Sequence, residues 1–253
     1  MQIGGRNVST LAKSMLEPRH YIAAGNMART YEAPVEMARR YLSNKGEYPY
    51  TAKVRTPTSL LALRTYSPHD VLTINEIFCR QDYKADAGDK VVVDFGSNIG
   101  ISAAYFLSRG PGVFAYLFEP LPSNVERLRD NLRVFPDQYV LQETAVGPDE
   151  GEVQFGWEDT GRYGGVGVAT GKTITVPCVK SRSVLEDVVG RHGRIDVLKA
   201  DIEGLEGAIV ADIPEDLARS IGKIYVEYVF SENPLPATHD FRQYGDIAQL
   251  TLR

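Results

Sequence analysis

From Lys90 onward, strand-like apolar runs alternate with helix-forming segments, and this alternation constrains the fold more than any other feature of the chain. Strands that alternate with helices form a parallel sheet, and the crossover helices cover its faces. We therefore predict an α/β fold with helices on both faces of a parallel sheet. The predicted strands are KVVVDF (90–95), VFAYLF (113–118), YVLQETAV (139–146), IDVLKA (195–200) and KIYVEYV (223–229).

The first 85 residues lack this alternation and are predicted to form a separate extension. Proline followed by apolar residues at helical spacing indicates helices, and two β-rich runs around a Pro-Thr pair indicate a hairpin. We predict a helix over about 34–44, a hairpin from YTAKVRT (50–56) and SLLALRTY (59–66), and a second helix over about 67–80. Residues 1–85 would be a helix-and-hairpin extension, and a candidate lid over an acceptor, attached to a core of residues 86–253.

Charge and hydropathy exclude several classes of partner. The formal net charge is -5, and no Lys/Arg-rich run could follow a phosphate backbone, so we expect no nucleic-acid partner. Every apolar run is shorter than the roughly 18 residues of a membrane-spanning helix, and the first residues lack a signal-peptide core. We expect a cytoplasmic protein with a small-molecule partner and no membrane partner, and the sequence is compatible with a homo-oligomer.

The turn after the first strand, VVVDFGSNIG (91–100), indicates a ligand site. Ligands of α/β sheets bind beyond the carboxyl ends of the strands, where glycines allow close approach of the backbone. Gly96 and Gly100 do not match a G-x-G-x-x-G dinucleotide fingerprint, and the chain has no phosphate-binding loop motif. Glu119 ends the second strand, where an acid accepts hydrogen bonds from ribose hydroxyls. These features predict an adenosine ligand without phosphates, which S-adenosylmethionine fits.

Several motifs in a fixed order give the chain a specific resemblance. They are VVVDFGSNIG, FEPLPSN, AVG, VPCVKSRSVLEDV and IDVLKADIEGLE, preceded by DVLTINEIFCRQDY. Together they span about residues 70–227 and resemble the FkbM-type family of S-adenosylmethionine-dependent methyltransferases. The resemblance implies a Rossmann-like class I methyltransferase sheet, and it implies O-methylation of a small natural product such as a polyketide or a sugar.

The resemblance also implies which residues would bind the cofactor. Glu119 would hold the ribose, and Thr144 and Ala145 would lie beside the adenine. The methionine part would be lined by Asp94, Gly96, Ser97, Asn98 and Gly100. Further members of the expected cofactor site are Ser102, Pro120, Asn124 and Asp201, whereas Glu203 and Glu206 match the family pattern but suit a structural role in a helix start.

A hydroxyl acceptor must lose a proton, which calls for a general base or for a metal ion that lowers its pKa. Among the histidines, His239 follows the fifth strand on the side where an acceptor should enter, so it is the preferred base. Asp201 and Glu227 end neighbouring strands and are further catalytic candidates. Their oxygens suggest Mg²⁺ as an alternative to a histidine base.

The segment after the fifth strand gives a second hypothesis. HDFRQYGDIAQL (239–250) is predicted as a helix, which leaves too few residues for the two last strands, one of them antiparallel, that methyltransferases of this fold normally have. An incomplete acceptor side would suit a catalytically inactive cofactor-binding or scaffold protein. Methyl transfer and scaffolding therefore both remain open at the level of sequence.

Overall fold

The computed structural model describes residues 2–3, 6–7, 18–158, 164–168 and 171–253. The chain divides into two compact units, Met1–Lys84 and Ala85–Arg253. The division lies one residue from the boundary predicted after residue 85. In the described part of the chain, no helix is long and apolar enough to cross a membrane.

The smaller unit contains the predicted helices and hairpin. Ser67 caps its last helix, accepting a hydrogen bond from the Asp70 backbone N–H, while the Asp70 carboxylate accepts one from the Ser67 N–H. The elements of this unit are β1 (Gln2–Ile3), β2 (Arg6–Asn7), α1 (Pro18–Thr30), α2 (Pro34–Ser43), β3 (Tyr50–Arg55), β4 (Leu60–Thr65) and α3 (Pro68–Ile74), which continues as a π-helical segment over Asn75–Arg80. The sequence predicted this arrangement apart from α1 and the two short strands.

Tyrosines of the smaller unit pack within it. Tyr31 is fully buried, and the Arg40 guanidinium lies 3.8 Å from the centroid of the Tyr50 ring. Arg40 is itself buried and donates to Glu36 and to the Glu47 carbonyl. These aromatic side chains therefore contribute to the packing of their own unit, and the lid remains a prediction.

The larger unit is built on a mixed sheet with the order β14-β15-β13-β12-β5-β6-β7. Its parallel part contains the predicted strands in the order three, two, one, four, five, as expected for a class I methyltransferase. The strands of this sheet are β5 (Val91–Phe95), β6 (Phe114–Phe118), β7 (Tyr139–Gln142), β12 (Ile195–Ala200), β13 (Ile221–Glu227), β14 (His239–Tyr244) and β15 (Ile247–Leu252). The helices of this unit are α4 (Ile101–Leu107), α5 (Pro122–Asn131), α6 (Ser181–His192), α7 (Glu206–Ala211) and α8 (Glu215–Ala218).

The predicted helix over residues 239–250 is wrong, because this segment forms the hairpin of β14 and β15. Tyr244 pairs with Ile247 across a two-residue turn, in which Gly245 has a φ of 64°. A glycine with positive φ at the first turn position is typical of a tight hairpin. Since β15 runs antiparallel to β13, the sheet has the two last strands expected of the fold, one of them antiparallel.

The predicted third strand, 139–146, is divided between two sheets. Its first half is β7 of the large sheet, whereas its end joins a smaller sheet with the order β10-β9-β11-β8. The strands of the smaller sheet are β8 (Ala145–Gly147), β9 (Gly151–Trp157), β10 (Gly164–Val166) and β11 (Lys172–Lys180). Glu143 and Thr144 connect the two sheets beside the carboxyl end of β7, so this connection lies at the ligand edge.

Apolar side chains of α6, α7 and α8 cover one face of the large sheet. They pack with alternate residues of the strands, such as Val93, Leu198 and Ile224, all of which are fully buried. Every position of β5 and β12 is buried, which explains why their sequences are mostly apolar. This core fixes the carboxyl ends of β5, β6, β12 and β13, where the candidate site lies.

Candidate functional site

The turn after β5 is held against two neighbouring strands. The backbone N–H groups of Gly96 and Ser97 both donate to the Phe118 carbonyl, at 3.1 and 2.9 Å. Gly96 has a φ of +80°, and a Cβ atom at this position would lie 1.8 Å from the Asp201 carbonyl oxygen. Glycine is required here both by the backbone conformation and by the close approach of the chain after β12.

The rest of the turn leads into α4. The Ser97 hydroxyl donates to the Asp94 carbonyl and accepts from the Phe118 N–H. Asn98 has a left-handed φ of 49°, and Gly100, with a φ of 82°, precedes the first residue of α4. The predicted cofactor residues of this turn are therefore contiguous and rigidly placed at the carboxyl edge of the sheet.

Glu119 lies beyond the end of β6 with its carboxylate turned towards this turn. It is 4% exposed, and it accepts hydrogen bonds from the backbone N–H groups of Asn98 (2.9 Å) and Leu121 (3.0 Å) and from the Asn124 side chain (3.3 Å). Burial raises the pKa of Glu119 to about 7, although these donors favour the ionised form. Pro120 is buried between Glu119 and Leu121. The structure thus brings Glu119, Pro120 and Asn124 together with the glycine turn.

Thr144 and Ala145 follow the carboxyl end of β7. The Thr144 hydroxyl is buried and has no hydrogen-bond partner among the described residues. Ala145 is buried against Leu121 and Phe155 in a small apolar cluster. A polar atom in such a position is satisfied when a ligand supplies the missing partner, as expected beside an adenine.

Asp94 contributes through a buried network rather than through an exposed carboxylate. It is completely buried, accepts a 2.6 Å hydrogen bond from the Ser102 hydroxyl and lies 3.0 Å from the Lys199 ammonium nitrogen. Lys199 also donates to the Gly96 carbonyl at 3.0 Å and lies 3.5 Å from Asp201. Asp94 and Ser102 therefore support the turn from beneath.

Asp201 and Glu227 are brought together, as their predicted positions require. Ala200 pairs with Val226 in parallel register, so the two acids occupy the next positions along β12 and β13. The Asp201 carboxylate, together with burial, raises the pKa of Glu227 well above its ordinary value. In the described part of the chain, no group of three or more His, Cys, Asp or Glu side chains could hold a metal ion, so nothing supports the Mg²⁺ alternative.

His239 does not lie where the sequence placed it, so its prediction as general base is corrected. It is fully buried at the start of β14, with Nε2 3.0 Å from the Ile221 carbonyl and Nδ1 2.8 Å from the Thr238 hydroxyl. Ile221 begins β13 and Glu227 ends it, six residues or about 20 Å away. Because β14 is a strand parallel to β13 and not a helix beyond it, His239 lies at the opposite edge of the sheet.

Sequence analysis assigned no role to Lys199 and left the role of Glu206 open. Lys199 was overlooked because a lysine within a strand gives no signal of burial, although it stands two positions before Asp201. Glu206 is buried, and its carboxylate accepts from the backbone N–H groups of Ile202 and Gly204, each at 2.8 Å. It therefore holds the turn after Asp201, the structural role expected for an acid at a helix start.

A family model described as the methyltransferase FkbM domain matches residues 94–249. This range includes the turn after β5, Glu119, the acidic pair and most of the C-terminal hairpin. No curated protein matches the sequence.

Solved structures of methyltransferases resemble the chain at low identity. An rRNA methylase from Streptococcus thermophilus is 10% identical with a TM-score of 0.37, over 65% of this chain and 87% of that one. A methyltransferase from Geobacter sulfurreducens is 15% identical with a TM-score of 0.38, over 65% and 71%. Fibrillarin from Aeropyrum pernix, in complex with natively bound S-adenosyl-L-methionine, is 14% identical with a TM-score of 0.37, over 66% and 67%. Similarity at this level gives no basis for choosing an acceptor.

Proposed function

Because this chain belongs to the FkbM family of methyltransferases, we propose that it methylates a hydroxyl group of a small natural product, such as a polyketide or a sugar attached to one. The matched domain covers more than half of the chain. Family and fold support the coarser statement, which is S-adenosylmethionine-dependent methyl transfer. That the methyl group is transferred to a hydroxyl, and that the acceptor is a polyketide or a sugar attached to one, is the finer part of the proposal.

The residues at the carboxyl edge fit the cofactor. S-adenosylmethionine, when bound, supplies a methyl group attached to a positively charged sulfur. The buried Glu119 carboxylate would accept hydrogen bonds from the ribose hydroxyls. The Thr144 hydroxyl, which has no partner among the described residues, would gain one beside the adenine. The Gly96 turn admits close approach of the methionine part because it has no side chain.

The acidic pair is the observation that carries the hydroxyl acceptor. An alcohol oxygen becomes a good nucleophile only as its proton leaves, and a carboxylate at hydrogen-bond distance can accept that proton. Asp201 follows β12 and Glu227 ends β13, at the edge where an acceptor would enter, and the Asp201 carboxylate raises the pKa of Glu227 well above its ordinary value. In the proposal, Asp201 accepts the proton of the acceptor and Glu227 orients the acceptor through a hydrogen bond.

Charge around the pair favours a neutral small molecule as the acceptor. Asp246 adds a further negative charge near Glu227, and the chain as a whole has a net charge of -5. A phosphate-rich acceptor such as nucleic acid would be repelled by these carboxylates. The negative charge around the pair therefore favours a polyketide or glycoside over a nucleic acid as the acceptor.

The first experiment is calorimetric titration of the purified protein with S-adenosylhomocysteine, with NAD as the control. Micromolar binding of S-adenosylhomocysteine alone supports the cofactor. Transfer of label from methyl-tritiated S-adenosylmethionine to a panel of hydroxylated polyketides and glycosides then tests the acceptor class. Asp201→Asn should lower the rate of methyl transfer by about 10²–10⁴-fold. Asp240→Asn is the control and should leave this rate unchanged, because Asp240 is an exposed acid of β14 that pairs with Arg253.

The scaffold hypothesis loses its main argument, because the two last strands are present. It would return if the protein bound S-adenosylhomocysteine but transferred label to no hydroxylated acceptor. Transfer to amine analogues in place of alcohols would instead overturn the hydroxyl part of the proposal while leaving methyl transfer intact.

A further inference from the structure

Lys199 is a buried cation at the centre of the candidate site. It is 2% exposed and lies in β12, flanked on one side by β5 and on the other by β13. Its ammonium nitrogen lies 3.0 Å from Asp94 Oδ1, 3.0 Å from the Gly96 carbonyl oxygen and 3.5 Å from Asp201 Oδ2. A fully buried lysine is rare unless it is paired, so these contacts account for its presence in the core.

These contacts join the cofactor-binding turn to the acceptor edge. Asp94 and Gly96 belong to the end of β5 and the turn after it, and Ser102 ties Asp94 to the first turn of α4. Asp201 follows β12, and its carboxylate acts on the neighbouring Glu227 at the end of β13. A continuous chain of charged and polar contacts therefore runs from the start of α4 to the acidic pair.

We propose that Lys199 is a positioning residue that fixes the Asp201 carboxylate relative to the cofactor-binding turn. The proposal rests on the proposed function, because it assigns Asp201 the role of proton acceptor. Lys199 itself is placed away from the reacting atoms and acts through Asp201 and the Gly96 carbonyl.

Charges around the acidic pair show how Lys199 acts on it. The groups that face Glu227 are Asp201, Asp246 and Lys199, of which Asp201 acts most strongly. Burial lowers the pKa of Lys199, but the carboxylates of Asp94 and Asp201 more than offset this, so the lysine stays charged. The Lys199 ammonium group, 3.5 Å from Asp201 Oδ2, lowers the pKa of Glu227.

A purely structural ion pair would also be buried, so the test must separate the two roles. Removing Lys199 alone leaves the Asp94 charge buried without its partner, which can prevent folding. The variant of choice is therefore the double substitution Asp94→Asn with Lys199→Met, which removes both charges. Lys199→Met alone is the second variant.

Lys223→Met provides a matched control. Lys223 lies on the neighbouring strand β13 and is also paired with two carboxylates, Asp86 at 2.7 Å and Asp89 at 2.8 Å. Its strand partner is Val197, nearer the amino end of β12 than Lys199. The control thus removes a similar ion-pair cluster from the same sheet without touching the ligand edge.

Two measurements test the proposal. Calorimetry with S-adenosylhomocysteine as the probe should show affinity falling about ten- to a hundredfold in the double variant, the loss expected for one charge-assisted hydrogen bond, and unchanged affinity in Lys223→Met. Carbon-13 NMR of glutamate carboxyl groups, with Glu227 assigned through Glu227→Gln, should show the titration midpoint of Glu227 rising in the double variant, because the ammonium group that lowers its pKa has been removed.

The outcomes separate this inference from the proposed function. If the wild-type protein binds S-adenosylhomocysteine and the folded double variant keeps both the wild-type affinity and the wild-type midpoint of Glu227, Lys199 is only structural and the inference is overturned. If the wild-type protein does not bind S-adenosylhomocysteine, the proposed function fails. The NMR titration then still decides whether Lys199 acts on the acidic pair.

Discussion

Glu119 combines burial with several hydrogen-bond donors, which makes its contribution to ligand binding measurable. Replacing it with alanine removes the acceptor of the ribose hydroxyls and the partner of the Asn98 N–H. We expect Glu119→Ala to weaken S-adenosylhomocysteine binding by about 1–3 kcal/mol in calorimetric titration. Glu126→Ala, at an exposed position of α5, is the control and should bind normally. Equal affinity in both variants would show that another residue holds the ribose.

The same carboxyl group predicts a pH dependence of binding. Burial raises the pKa of free Glu119 to about 7 from about 4.5, and ribose hydroxyls donate to the ionised form, so the bound state holds fewer protons near neutral pH. By linkage, S-adenosylhomocysteine should bind more tightly as pH rises from 6 to 8, with release of up to one proton. Calorimetry in buffers of different ionisation enthalpy measures both effects. Affinity that falls over this range, or a rise that persists in Glu119→Ala, would contradict the assignment.

His239 should matter for folding rather than for chemistry. It is fully buried with both ring nitrogens hydrogen-bonded, and burial lowers its pKa, so the imidazole is neutral. We expect His239→Ala to lower the free energy of unfolding by about 1–3 kcal/mol in urea titration and to leave S-adenosylhomocysteine affinity unchanged. Loss of methyl transfer in a variant of wild-type stability would restore the histidine as a base.

At the scale of single residues, the positions of the expected cofactor residues in the fold were easier to predict than those of the expected acceptor edge. Asp94, Gly96 and Glu119 follow directly from strand ends, because a turn after a parallel strand has only one edge of the sheet to occupy. The predicted position of His239 depended on how the chain continues after β13. The incorrectly predicted helix over residues 239–250 misplaced it by the length of a strand. Lys199 depended on contacts between strands distant in sequence, which no local pattern reveals.

At the scale of elements, the turn after β5 is constrained by another element as much as by its own backbone. Both Gly96 and Gly112 have positive φ, but an added Cβ would meet the Asp201 carbonyl at Gly96 and open space at Gly112. Gly112→Ala should therefore cost only the conformational strain, about 1–2 kcal/mol. Gly96→Ala should cost a further 1–3 kcal/mol or so from overpacking and should abolish S-adenosylhomocysteine binding. Thermal unfolding and calorimetric titration of the Gly96→Ala and Gly112→Ala variants test this prediction. Equal destabilisation would show that the chain after β12 shifts to accommodate the added methyl group at little cost in free energy.

The C-terminal hairpin shows why one element was mispredicted. Residues 239–250 contain apolar residues at spacings compatible with a helix, but the Gly245–Asp246 pair between two runs is also a signal of a hairpin turn. Tertiary packing decides between them, because β15 pairs with β13, the last of the parallel strands, and buries Ala248 and Leu250. The parallel strands β5, β6 and β12 were easier, since nearly all of their positions are buried.

At the scale of the whole molecule, a ligand of the larger unit should stabilise the fold. A ligand that binds only the native state adds about 2.7 kcal/mol at a concentration of one hundred times Kd. Differential scanning calorimetry with S-adenosylhomocysteine at that concentration should therefore raise the unfolding temperature of the transition that includes residues 85–253, because every residue of the expected cofactor site lies in this unit. Should the two units unfold in separate transitions, the transition of Met1–Lys84 should not move. Glu119→Ala is the control and should show a smaller shift at the same ligand concentration. The absence of a shift in the wild-type protein at saturating ligand would contradict cofactor binding at this edge of the sheet.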